Sequence, residues 1–250
     1  MANAPKPKKL LSILHCSRPV LFQNADPQFP FSIGGTAFIV RFRNRHFVIT
    51  AKHVLTMNGF RPEQFRIQYR ADGKKCLPLR SVYWLRSGNT DDTDQFDLAA
   101  WDVDEDAINV DLFGDDLPYG LREWDNLTVF GANSHYLYRG FPTFMRSVDY
   151  SGSTIQQGSI SSRARYVGPT PYAHIHEIAL VNDGTLISAE GLSGSPIFQV
   201  NNDVGQFSFE AFAGIMIRGN STKVYFIAHR KIIEMLVDVC AGRIIRVESP

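Results

Sequence analysis

The stretch Thr36-Ala37-Phe38-Ile39-Val40-Arg41-Phe42-Arg43-Asn44-Arg45-His46-Phe47-Val48-Ile49-Thr50 holds two runs rich in aromatic and β-branched residues around a short polar triplet. Such residues suit a pleated, half-buried surface. With Arg43-Asn44-Arg45 as the turn, the two runs read as a β-hairpin. Further short runs of the same character follow at 65–70, 77–85, 97–103, 127–130, 155–165, 174–180, 195–200, 209–217 and 223–227. Asn58-Gly59, Asp72-Gly73 and Asp183-Gly184 are turn dipeptides between them. One segment alone has helical spacing: after His229, the apolar Ile232, Ile233, Leu236, Val237 and Cys240 recur, with Lys231, Glu234 and Asp238 opposite. Many short strands and one C-terminal helix point to an all-β fold, a pair of barrels or a sandwich.

The chain has 250 residues, which suits one domain of two packed halves. Hydrophobic residues at 44% and charged residues at 20% are ordinary for a globular domain. A net charge of +1 gives no electrostatic reason to expect nucleic acid or a membrane surface as partner. No apolar run approaches the roughly 18 residues of a membrane helix. The N-terminal Leu10, Leu11, Ile13 and Leu14 are interrupted by His15 and Cys16, so residues 1–30 read as an arm and not as a signal peptide. Three cysteines, Cys16, Cys76 and Cys240, are odd in number and widely spaced, which favours thiols in a reducing, cytoplasmic compartment over a disulfide frame or a zinc cage. The acidic, turn-rich 104–120 lacks the ligand spacing of a calcium loop and reads as the connection between halves.

Three segments carry possible chemistry. They are Thr50-Ala51-Lys52-His53 after an apolar strand, Asp97-Leu98-Ala99-Ala100 opening another, and Gly191-Leu192-Ser193-Gly194-Ser195-Pro196 before Ile197-Phe198. Each alone has a commonplace structural explanation. Together, in the order His, Asp, Ser, they resemble the chymotrypsin/trypsin-like serine peptidases. The order differs from that of α/β-hydrolases and of subtilisins. Gly35-Thr36-Ala37-Phe38-Ile39-Val40, Leu127-Thr128-Val129-Phe130-Gly131, Gln157-Gly158-Ser159-Ile160-Ser161-Ser162 and Ala213-Gly214-Ile215 are similar to strands of bacterial HtrA-like protease domains. The strands and helix after Ser193 leave no room within this chain for an appended PDZ domain.

The resemblance implies two six-stranded antiparallel β-barrels, residues 31–115 and 116–228, with a helix and tail at 229–250 packed outside. His53 is then the general base, Asp97 holds its tautomer, and Ser193 is the nucleophile, in preference to Ser195. Gly191 and Gly194 permit the tight turn, and the amides of Gly191 and Ser193 form an oxyanion hole. No cofactor and no metal are expected. The substrate is a peptide or protein, and its pocket falls to Ile187, Ser188, Ile217, Arg218 and Gly219, with residues near Lys223 and Tyr225. No Asp stands where cleavage after Lys or Arg would need one, and Lys223 or Arg218 could favour acidic side chains.

The sequence also departs from secreted members of that family. Leu192 stands where they have an Asp that pairs with a freshly cut N-terminus, so no such activation step is expected. Val54 replaces a disulfide cysteine, and Ile217 replaces a Ser that supports the catalytic Asp. His174-Ile175-His176 would set two imidazoles on one face of a strand, without a third metal ligand. Trp84, Trp101 and Trp124 read as packing. Asp94 and Asp102 flank Asp97 but do not open the Asp-aliphatic-Ala pattern. Three rivals accompany the peptidase reading: a non-catalytic binding or scaffold protein on the same fold, a latent effector protease awaiting a protein partner or a ligand, and a viral polyprotein-processing protease.

Overall fold

The computed structural model describes residues 14–56, 59, 61–70, 75–85, 96–108, 113, 118–123, 130–131, 134–152, 154–181, 188–203 and 206–244, with the backbone alone across 202–210. The turn dipeptides at 72–73 and 183–184, with Asn58, Asp94, Trp124, Ile187 and residues 127–129, lie outside the described residues.

The N-terminal half is a seven-stranded, curled sheet. Its strands are β1 (Ser17–Gln23), β2 (Phe31–Phe42), β3 (Arg45–Thr50), β4 (Phe65–Arg66), β5 (Leu79–Trp84), β6 (Ala99–Val103) and β7 (Tyr119–Gly120). They run in the order β4-β1-β2-β3-β6-β5, and β7 pairs beside β2 in parallel. The hairpin expected at 36–50 is β2–β3, in register from Phe38↔Ile49 to Phe42↔Arg45. Its turn uses Arg43 at φ 47° and Asn44 at φ 64°, both left-handed, as a two-residue hairpin turn requires.

Two parts of this half differ from the reading by sequence. The arm of residues 1–30 contains β1, whose residues from Ser17 to Phe22 are all buried. Arg18 is among them, and its guanidinium donates to the carbonyls of His15, Ser17 and Tyr69, which offsets the cost of burying a charge. The first half also reaches past residue 115, because Tyr119 and Gly120 pair with Val40 and Arg41.

The C-terminal half is a closed barrel of six strands: β8 (His135–Gly140), β11 (Ile160–Pro169), β12 (Ile175–Val181), β13 (Pro196–Asp203), β14 (Gln206–Gly219) and β15 (Lys223–Ala228). A separate hairpin, β9 (Arg146–Asp149) and β10 (Thr154–Gln157), stands outside it. The run read at 155–165 is therefore two strands, broken at Gly158, where a Cβ would fall 2.6 Å from Met145 Cε.

Helix α2 (His229–Cys240) buries His229, Ile232, Ile233, Met235, Leu236 and Val239 on one face. That face is not merely laid on the outside of the barrel. It joins the larger apolar cluster, which runs from Phe38, Val48 and Leu98 in the first half through Phe198, Phe212 and Ile217 in the second. Each such side chain contributes about 1.5–3 kcal/mol by leaving water, so the shared cluster fixes the two halves against each other. A smaller cluster, including Tyr138, Leu192, Ile197 and Phe226, fills the barrel.

Candidate active site

His53 lies on α1 (Lys52–Thr56), a single turn that follows β3 and is pinned by buried Val54 and Leu55. Antiparallel pairing sets Thr50, the end of β3, opposite Ala99, the start of β6. The chain just after Thr50 and the chain just before Ala99 therefore leave the sheet at the same edge. There the Asp97 carboxylate takes two hydrogen bonds from one residue: the His53 amide donates to Oδ1 at 2.8 Å, and His53 Nδ1 meets Oδ2 at 2.6 Å. An ionised carboxylate only accepts, so Nδ1 is the donor, and in the neutral ring Nε2 is then the acceptor. Asp97 is buried at 8% exposure, and the His53 side chain is one-third exposed at 32%. The carboxylate is thus shielded and the imidazole open to a ligand. Asp102 is engaged elsewhere, with Arg45 at 2.7 Å.

Ser193 sits on a turn that enters β13. Gly191 and Gly194 flank it at φ +87° and +89°, a region that disfavours other residues. Gly194 has a second constraint, since a Cβ there would lie 1.8 Å from the Thr36 carbonyl oxygen. The turn is stitched to the first half, as the Thr36 amide donates to the Ser193 carbonyl at 2.8 Å. A Cβ on Gly35 would meet both Val54 Cγ2 at 2.6 Å and the Ser193 oxygen at 2.8 Å. The helix of His53 and the turn of Ser193 therefore meet across Gly35. The Ser193 hydroxyl donates to the Ile217 carbonyl at 3.0 Å, and no hydrogen bond joins it to His53. Ser195 is fully buried at 0% exposure, out of reach of a ligand.

Peptide orientation around Ser193 follows from its carbonyl partners. The Glu190 carbonyl accepts from the Thr143 amide at 2.9 Å, and the Leu192 carbonyl accepts from the Ser195 amide at 2.9 Å. All described peptides are trans, so the N–H of each unit points opposite to its C=O. The amides of Gly191 and Ser193 are thereby turned away from these partners, and among the described residues neither donates to a protein group. Two unengaged amides on one tight turn can receive a single anionic oxygen.

The pocket residues fall out unevenly. Ser188 Oγ accepts from the Glu190 amide at 3.1 Å. Ile217 is buried, and Gly219 packs so tightly that a Cβ would lie 2.4 Å from Val224 Cγ1. Arg218 lies over the Tyr225 ring at 4.9 Å, and Lys223 is paired with Glu177 at 2.7 Å. A wall of unmatched cations is therefore not what this side presents. Leu192 is fully buried in the barrel's apolar cluster, and Asp97 accepts from His53 without help from Ile217.

The two imidazoles of the His174-Ile175-His176 motif do not share a strand face, because His174 precedes β12 with φ at +67°. His176 packs on Phe130 at 4.3 Å between centroids and bonds Tyr166 Oη at 2.7 Å. No group of three metal-ligating side chains occurs among the described residues. Trp101 stacks on Phe65 inside the first half, as packing. Cys16, Cys76 and Cys240 are free thiols, and burial pushes the Cys16 thiol up to about 12. No helix among the described residues is long and apolar enough to cross a membrane.

Sequence reasoning did not single out Thr36, Thr143 or Arg146 as parts of this site. Thr36 Oγ1 donates to the Gly191 carbonyl at 2.8 Å and accepts from the Phe141 amide at 3.0 Å. Arg146 Nη2 donates to the same Gly191 carbonyl at 3.0 Å. No motif marks residues that act through backbone carbonyls so distant in sequence.

No family model and no curated protein matches the chain. Among solved structures, the scabies mite inactivated protease paralogue S-D1 is similar at a TM-score of 0.60 and 15% identity, covering 94% of this chain and 97% of that one. A curled half-barrel, a closed six-stranded barrel and one C-terminal helix, matched over nearly the whole of both chains, make this a chymotrypsin-like double β-barrel.

Proposed function

We propose that the chain is a serine endopeptidase that cleaves peptide bonds through an acyl-enzyme. The observation that carries this reading is the paired hydrogen bonding of Asp97 to the amide and ring of one residue, His53. It leaves His53 Nε2 as a proton acceptor beside a serine turn with two unengaged amides. In this reading Ser193 attacks the scissile carbonyl while Nε2 takes its proton. Asp97 stabilises the imidazolium, and the Gly191 and Ser193 amides receive the oxyanion. His53 then protonates the leaving amine, and water repeats the sequence to release the acid. In this reading the Ser193 hydroxyl exchanges the Ile217 carbonyl for His53 when substrate binds, as catalytic hydrogen bonds often form only then. The strand motifs support a reading nearer to HtrA-like peptidase domains than to secreted digestive ones. Its thiols fit a cytoplasmic setting.

A second reading, a latent or non-catalytic protein on the same fold, is favoured by one observation: the Ser193 hydroxyl bonds Ile217 and not His53. Labelling with a fluorophosphonate, read by mass spectrometry, separates the two. The peptidase reading expects label on Ser193 alone and none on Ser193→Ala, whose turnover falls by about 10⁶. Folded wild type that takes no label overturns it.

A further inference from the structure

The turn of Ser193 depends on a clasp from outside its own barrel strands. Three successive carbonyls are each held: Glu190 by the Thr143 amide, Gly191 by Thr36 Oγ1 and Arg146 Nη2, and Leu192 by the Ser195 amide. Thr143 and Arg146 belong to one short segment, the 3-10 turn Thr143–Met145 and the first residue of β9. That segment grips two adjacent peptides of the turn. Arg146 also reaches the Gly35 carbonyl in the first half at 3.3 Å. One guanidinium thus bridges the two halves directly beside the unengaged amides.

The position is an exacting one for a cation. Burial lowers the Arg146 guanidinium to about 10, with the nearby Glu190 charge acting the other way, so it remains charged at neutral pH. Its Nε is buried with no hydrogen-bond partner, a cost that a tie between surface loops would not need to bear. Gly191 accommodates it closely, since a Cβ there would lie 2.6 Å from Nη2. Gly191 also has the free backbone of a glycine. Without Arg146, Thr36 Oγ1 alone holds the Gly191 carbonyl, and the 191–192 peptide, which links the two units that carry the amides, can rotate more freely. Leu192, buried and apolar, supplies no charge to prevent this.

We propose that Arg146 is a positioning residue that locks the Gly191 carbonyl, and so keeps the amides of Gly191 and Ser193 aimed into the cleft. The proposal rests on the peptidase reading. Arg146 does not touch the reacting atoms. It sets the geometry of those that do, and replaces an activation event with a contact present in the folded chain.

The test compares fluorophosphonate labelling rates at Ser193, and hydrolysis of a p-nitrophenyl ester, for wild type, Arg146→Met and Arg146→Lys. The phosphonyl oxygen occupies the same hole as the oxyanion, so its rate reports the amides directly. Arg146→Met is expected to label about tenfold more slowly or worse, with kcat lowered and KM unchanged. Arg146→Lys, with one charged donor, is expected to recover part of the rate. Should Arg146→Met fail to fold, Arg146→Gln is read on the same scale. Equal labelling of wild type and the folded neutral variant, with only a lower Tm, overturns the lock and leaves the peptidase reading standing. Absence of label on wild type overturns that reading, and the lock with it.

Discussion

The two halves bring their share of the site into place by different means. In the first half, His53 and Asp97 are set by their own sheet: the β3–β6 register brings their segments to one edge, and one carboxylate binds both the backbone and the ring. In the second half, the barrel supplies Ser193 on a turn whose shape is held largely from elsewhere. Thr36 comes from β2 of the first half, and Thr143 and Arg146 come from the segment that leads into the hairpin outside the barrel. Asp97 and His53 form a self-contained unit, whereas the placing of Ser193 and its neighbouring amides is a product of assembly. Substitutions in the first unit should therefore change chemistry with little effect on stability. Those at the seam should change both, and those elsewhere in the barrel should change stability alone.

The largest expected effect tests the first part. Asp97→Asn keeps the shape but offers Nδ1 the wrong tautomer, and kcat is expected to fall by about 10⁴ with a thermal midpoint near that of the wild type. A large drop in Tm would show that this unit also carries the fold, and the contrast would fail. The seam comes next. Gly194→Ala places a Cβ against the Thr36 carbonyl at φ +89°, which cannot be relieved without moving the β2 backbone. A cost of roughly 3 kcal/mol or more is expected, together with slower labelling of Ser193. Denaturant unfolding and the labelling rate check it, and a fall in one without the other breaks the claim that they are joined here.

The smallest effect lies away from the seam. Burial first, then the charges of His174 and His229, lowers the His176 imidazole to about 4 from its usual 6.5. A group whose folded value is depressed binds fewer protons folded than unfolded between those values. Its contribution is present above pH 6.5 and is lost as pH falls toward about 4. His176→Phe is expected to flatten the fall of Tm across that window by a few degrees, on the order usual for a small change in stability, with the labelling rate at pH 7 unchanged. A variant that labels more slowly at pH 7 would put His176 in contact with the site.

The same contrast explains what could be read from sequence. The β2–β3 hairpin and α2 were legible because their patterns are local and repeat with a fixed period. The meeting of His53 with Asp97 could be expected because each has reactive chemistry in a recognisable setting. β1 was not, because its order depends on a buried arginine satisfied by the carbonyl of Tyr69, far along the chain. β8 was missed as well: Leu137, buried between the buried Tyr136 and Tyr138, breaks the alternation of polar and apolar residues at the centre of the strand. Thr36, Thr143 and Arg146 are the extreme case. Their contribution is an orientation imposed on another residue's peptide, and side-chain type says nothing about it.

The hydrogen bond from the Thr36 amide to the Ser193 carbonyl ties the two halves together through the main chain at the cleft itself. A protein built this way has no low-energy route to an open but otherwise native form, because parting the halves breaks main-chain bonds and the shared apolar cluster together. Heat should then abolish activity and native structure in one cooperative transition. Within a cell, such a molecule is either fully folded or unfolded and a target for degradation, with little dwell time between.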